Sequence, residues 1–321
     1  MDLTNREEAP QATDRRTAVE QVLYGETDTR LRATWRILFA VVVFIGLVII
    51  GETIFSAADV QPVITELKLP YLAALAGTVV VAVRLGDRSV SSVGFDINAV
   101  WFRELAAGIG LGLIFQFAVT VIWARTGGLT VTDTAVRGVT TGASSLAIIT
   151  GVSLFGLLVT AVWEEFVFRS LLIRNAAEGL AARSVSRTGA LAGAIILSAL
   201  VFGLPHAFGA AAEFTNPVFG ALQAVLSVSY FVTAYVATGS LALPIGIHFA
   251  SNTWLTLVVG RPTSPYPKLF VAERTVAGTI DTLLILLPGA LLVVVILWWA
   301  RFTGRTGLSI NDAYQRIIER S

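Results

Sequence analysis

Cysteine is absent from all 321 residues, so disulfides, thiolate nucleophiles and Cys-ligated metals are excluded. Histidine occurs only twice, and lysine twice against 21 arginines, a bias that reads as genome composition and not as function. Charge is scarce too. Charged residues make up 14% of the chain, where a soluble domain carries about a quarter. The net charge of +1 argues neither for nor against nucleic acid, and no nucleic-acid partner is expected. The first 34 residues lack the apolar core and small-residue cleavage site of a signal peptide, so the first apolar run is expected to remain as a span. What the chain does hold is apolar sequence: 55% hydrophobic residues and a mean hydropathy of +0.75.

A bilayer core of about 30 Å needs roughly 20 apolar helical residues. Eight stretches qualify, at 37–57, 69–85, 105–124, 146–173, 189–209, 217–237, 241–259 and 279–300. Backbone groups in lipid must be satisfied within their own segment, and the ten-residue alternation of a membrane barrel is missing. The expectation is an all-α, polytopic transmembrane helical bundle of about eight spans. With Arg169 set aside as intramembrane, an N-in arrangement gives the inner side 16 basic residues and the outer side 6, which predicts N-in and C-in. Trp35, Trp298 and Trp299 then fall near inner span ends, as interface anchors. Residues 1–34 and 301–321 read as cytoplasmic polar tails, appendages to a 35–300 helical domain. The Gly108-Ile-Gly110-Leu-Gly112 run has no preceding strand, so close helix packing is expected of it rather than a nucleotide.

Ionisable groups inside spans are costly, and each needs a reason. Span four holds Trp163-Glu164-Glu165-Phe166-Val167-Phe168-Arg169. Glu165 and Arg169 stand four apart with the acid first, the favourable order for an ion pair. Glu164 lies about 140° around the helix from Arg169 and must face something else. A buried salt bridge at the mouth of the span would explain Glu165 and Arg169, but Glu164 poorly. Span five ends in Phe202-Gly203-Leu204-Pro205-His206, where Pro205 is expected to loosen the turn and let His206 face a polar cavity. Alone, that histidine would read as an interfacial side chain. Span seven carries His248 and Asn252 four apart on one face; such an Asn is commonly interhelical glue. Gln116 and Gln223 are solitary and are assigned to packing or a cavity wall.

Glu164-Glu165-xxx-Arg169, Phe202-xxx-His206 and His248-xxx-Asn252 resemble, in order and spacing, the three motifs of the type II CAAX prenyl endopeptidases, within the wider CPBP (Abi) family of intramembrane proteases. Phe168-Arg169-Ser170-Leu171-Leu172 is similar to that family's FRG-plus-apolar stretch, with Ser170 for the common Gly. The motif region covers about residues 145–260. The resemblance implies a multi-pass peptidase of the plasma membrane whose site opens towards the cytosol. It would act on a membrane-associated peptide or protein, prenylated in the CAAX case. It implies catalytic roles for Glu164 and His206 in activating water, and for His248 and Asn252 in holding the oxyanion. Glu165, Arg169 and Phe202 would support the site.

No cofactor is favoured. The alternative is zinc on Glu164, His206 and His248, although the H-E-x-x-H helix that would supply adjacent ligands is absent. Counted along the spans above, His206 falls nearer the outer end and Glu164 in the inner half, a mismatch for partners of one water. Two other functions compete with peptidase activity. A non-catalytic immunity or scaffold protein of the same fold would tolerate loss of Glu164. A proton-coupled transporter should have inverted repeats, and none is visible.

Overall fold

The computed structural model describes residues 17–24, 30–136, 146–211, 217–274, 279–304 and 309–319. In chain order the helices are α1 (Ala18–Leu23), α2 (Ala33–Ala57), α3 (Pro62–Thr65), α4 (Leu69–Gly86), α5 (Ala99–Thr126), α6 (Leu146–Glu165), α7 (Arg174–Ala181), α8 (Arg187–Ala211), α9 (Pro217–Thr238), α10 (Ala242–Thr253), α11 (Thr279–Phe302) and α12 (Ile310–Tyr314). Each of the eight apolar stretches falls on helix. Among the described residues, four helical segments are long and apolar enough to cross a membrane: Ala33–Ala57, Val63–Gly86, Ala99–Thr126 and Leu146–Ala181. Shorter apolar helical segments follow at Arg187–Gly203, Val228–Thr238 and Leu286–Phe302. The protein is a helical membrane protein. The long exposed faces of α2 and α11, with Ile49, Ile50, Ile54, Leu287, Leu291 and Val294 bare, suit lipid and not water.

Local chemistry sets several of the ends. Asn98 caps α5 by accepting from the Val100 and Trp101 N–H groups, and Gly127 closes it in the left-handed region (φ +78°). The Gly108 and Gly112 face of α5 lies against α10. A Cβ at Gly108 would strike the Leu243 carbonyl, one at Gly246 the Leu105 carbonyl, and one at Gly112 would come 2.7 Å from the Ala250 Cβ, whereas Gly110 meets nothing. The glycines are there so that the two backbones can touch.

Three expectations need correction. First, the fourth apolar helix does not stop at residue 173. Phe166–Ile173 is π-helical, and the helix continues through α7 to Ala181. The polar residues Arg174 and Glu178 look like loop in sequence, yet Arg174 donates to the Ser92 carbonyl and Glu178 gathers charges from beyond its own helix. Glu178 pairs with Arg36 at 2.8 Å, with Arg174 at 3.9 Å and with Arg88. Burial, with Arg174 and Arg36 alongside and Glu178 opposing, lowers the Arg88 pKa to about 10.

Second, the chain is not wholly helical. β1 (Leu129–Val136), β2 (Val259–Gly260) and β3 (Lys268–Arg274) form a sheet of order β1-β3-β2, antiparallel between β1 and β3 and parallel between β2 and β3. It joins the segment after α5 to the segment after α10, two stretches that sequence reading leaves as separate loops. Third, the C-terminal tail is no free appendage. Ala313, Tyr314 and Ile317 are buried in the main core, and Arg187 reaches Glu319 at 2.8 Å. At the other end α1 carries a Thr17/Glu20 capping box, and the Trp35 Nε1–H donates to the Val22 carbonyl. Residues 1–16 lie outside the described residues.

Candidate active site

Four elements bring the motif residues together. α6 ends on Glu164 and Glu165, the π-helical segment adds Arg169, α8 supplies Phe202 and His206, and α10 supplies His248 and Asn252. A π turn frees backbone carbonyls that need other donors. The Phe168 carbonyl accepts from the Ser198 hydroxyl of α8 at 2.6 Å, and the Ser170 hydroxyl donates to the Val93 carbonyl at 2.7 Å. The segment carrying Arg169 is thereby pinned to both neighbours.

The mismatch in depth disappears with the corrected helix. Glu164 lies 17 residues before the end of α7 and His206 19 residues after the start of α8, about 26 and 28 Å from the turn that joins them. The two arms of the hairpin carry them to nearly the same height. α8 runs through residue 205 without a break, so no kink is needed; the Pro205 side chain lies outside the described residues.

One carboxylate oxygen is the focus. Glu164 Oε2 stands 3.6 Å from His248 Nε2 and 4.0 Å from His206 Nε2. The second nitrogen of each ring is already engaged. His206 Nδ1 lies 2.8 Å from the Phe202 carbonyl, which can only accept, so Nδ1 carries the proton and Nε2 presents a lone pair in the neutral ring. His248 Nδ1 lies 2.8 Å from Glu165 Oε1, and donates in the same way. Glu165 Oε2 in turn is 3.1 Å from Arg169 Nε, both side chains fully buried. Glu165 therefore serves two partners, of which the spacing on its own helix reveals only Arg169.

Aromatic rings complete the enclosure. Phe202 stacks on His206 (4.2 Å, 23°) and Phe231 on His248 (4.7 Å, 27°). The Arg169 guanidinium lies over both phenyl rings, at 4.5 and 5.4 Å. Its Nη1 and Nη2 are buried and have no hydrogen-bond partner among the described residues, and these ring faces are what they meet. Trp163 packs with Phe44 and Tyr71 beside Glu164 (4.8 and 5.9 Å). His206 is the open side of the site, its side chain 48% exposed against 10% for Glu164 and 7% for His248. Asn252 is half-buried one turn beyond His248, and its amide bonds to none of the described residues. Gln116 is buried on α5; the Gln223 side chain lies outside the described residues. Phe231 and Tyr71 were invisible to motif reading, being aromatics in apolar helices with no spacing to mark them.

The donor set of two imidazoles and one carboxylate has the chemistry of a zinc site. Tetrahedral ligands about 2.0–2.1 Å from zinc stand roughly 3.3 Å apart, and here the carboxylate oxygen stands 3.6 and 4.0 Å from the two Nε2 atoms. Among the described residues no group of three or more His, Asp or Glu is arranged to hold a metal ion. Comparison with curated proteins and with solved structures returned no match. Residues 146–254 match the family model described as type II CAAX prenyl endopeptidase Rce1-like.

Proposed function

The chain carries, over residues 146–254, the domain of the type II CAAX prenyl endopeptidase Rce1-like family, and from that premise we propose that it is an intramembrane endopeptidase acting through a Glu/His-activated water. The observation that carries this reading is the convergence of two imidazole Nε2 atoms on Glu164 Oε2. A water lodged between Glu164 and the exposed His206 meets a carboxylate and a ring lone pair, both able to take its proton. Its oxygen attacks the scissile carbonyl and the proton passes to Glu164. The carbonyl oxygen becomes an oxyanion, stabilised by N–H donors from His248 Nε2 and the Asn252 amide. For Nε2 to donate, His248 must be protonated on both nitrogens. Glu165 accepts from His248 Nδ1 and pairs in turn with Arg169. As the C–N bond breaks, Glu164 returns its proton to the leaving amine.

The substrate class is a membrane-associated peptide or protein, including prenylated CAAX-type chains, bound from the side on which His206 is open. In this reading the chain crosses the plasma membrane eight times, with both termini on the cytoplasmic side. The test compares membrane peptidomes of cells carrying wild type and Glu164→Gln, with His206→Ala alongside. Both substitutions abolish processing while the protein still inserts; an unchanged peptidome would sink the proposal in favour of a non-catalytic role. Activity of purified protein is expected to survive exhaustive chelation, and stoichiometric zinc with chelator-sensitive activity would overturn the metal-free mechanism.

A further inference from the structure

Each imidazole in the site is tied at Nδ1 by a single hydrogen bond, and one such bond leaves the ring free to swing about its axis. Aiming Nε2 at Glu164 needs a second constraint on the ring plane. For His206 that constraint is Phe202, one turn earlier on the same helix. For His248 nothing on α10 provides it. We infer that Phe231, on α9, is the positioning residue of His248: its ring fixes the imidazole plane by stacking and at the same time holds the guanidinium that neutralises Glu165.

Four observations converge on this ring. It is buried, with 4% exposure. It stacks on His248 nearly face to face. It lies 5.4 Å from the Arg169 guanidinium carbon, whose terminal nitrogens have no hydrogen-bond partner among the described residues. It is itself held edge-on by Tyr230 at 4.6 Å. The order is then His206, Phe202, Arg169, Phe231, His248, an alternation of rings in which the cation sits between two π faces. Removing Phe231 leaves the His248 ring with only the edge of Phe202 beside it and takes one of two ring faces from Arg169, which keeps Phe202 and Glu165, while Phe202 still stacks on His206. α9, which contributes no motif residue, thereby acquires a part in the chemistry through a side chain that touches no reacting atom.

The inference rests on the peptidase reading, and its test includes a readout that does not. The full-length protein in nanodiscs is compared as wild type, as Phe231→Leu, and with pentafluorophenylalanine at 231, which keeps the ring's shape and reverses the charge of its face. Both replacements are expected to lower kcat at least tenfold, with KM within twofold of wild type. The two histidines give two sets of signals in 15N-histidine-labelled protein. In wild type both rings show a fixed proton on Nδ1 or the doubly protonated form. In Phe231→Leu the His248 set moves to averaged tautomers and the His206 set stays. An unmoved His248 set, or wild-type kcat in both replacements, overturns the inference. If Glu164→Gln processes substrate like wild type, the peptidase reading falls, and the His248 signals still decide the role of Phe231. Should Phe231→Leu fail to fold, the shape-conserving replacement decides both readouts.

Discussion

At the residue scale the two adjacent glutamates do different work, and their substitutions separate it. Glu164 faces the two Nε2 atoms and, at Oε2, has no hydrogen-bond partner among the described residues. Glu165 binds His248 and Arg169 and is wholly buried. Glu165→Gln strips a buried cation of its counter-charge, which costs about 3–5 kcal/mol; Glu164→Gln does not. The expectation is loss of processing in both variants, with a lowered thermal unfolding midpoint in Glu165→Gln alone. Equal midpoints would contradict the assignment. Much of this was legible beforehand. An ionisable group in an apolar run demands an explanation, so Glu164, His206 and His248 stand out, and helical spacing pairs Glu165 with Arg169. The contact from Glu165 to His248 spans 83 positions, and no periodicity carries that information. Phe231 was illegible for a different reason: a phenyl ring among apolar residues announces packing and nothing more.

At the scale of elements, the tightest constraint is the seam between α5 and α10. His248 is two residues beyond Gly246, and that glycine lies against the Leu105 carbonyl. Gly246→Leu must push α10 away and carry His248 with it. A destabilisation of about 1–3 kcal/mol or more is expected, with processing lost beyond what stability explains; a variant that folds and retains full activity would show that the seam does not position the site. The glycine run was readable as a packing face because it lay inside an apolar helix. The fourth helix runs on past residue 173; Arg174 and Glu178 look like loop until Arg36 and Arg88 supply the partners of Glu178 and the Ser92 carbonyl that of Arg174. The sheet was missed for a related reason: its strands are brought together by the ends of α5 and α10, not by any alternation of their own.

For the whole molecule, the charges that sequence reading assigned to inner loops form a buried knot. Glu178 receives Arg36 from α2, Arg88 from beyond α4 and Arg174 from its own helix. Glu178→Gln leaves three guanidiniums around a neutral amide and is expected to lower stability by about 3–5 kcal/mol, read as a fall in the thermal midpoint with the apparent KM of surviving protein unchanged. The docked C-terminal turn responds to acid. Hydrogen bonds from the Ser309 hydroxyl and amide hold the Asp312 carboxyl below the usual carboxylate range. A carboxyl with a depressed folded pKa contributes stability above its unfolded pKa and loses it as pH falls through the folded value. Amide protection over 309–319, relative to the intrinsic exchange rate at each pH, is therefore expected to fall below the ordinary carboxylate pKa, and a flat protection profile would refute the cap's role.

The hairpin of α7 and α8 has an inheritance of its own. Glu164 and His206 meet because two arms of nearly equal length rise from one turn, so the arms act as a caliper. Residues gained or lost in the turn at 182–186 leave its points closed. One residue gained within α8 before His206 rotates that histidine by about 100° and lifts it by about 1.5 Å, away from the carboxylate. Any lineage that keeps this site is free to vary the turn, and is held to a fixed count in both arms.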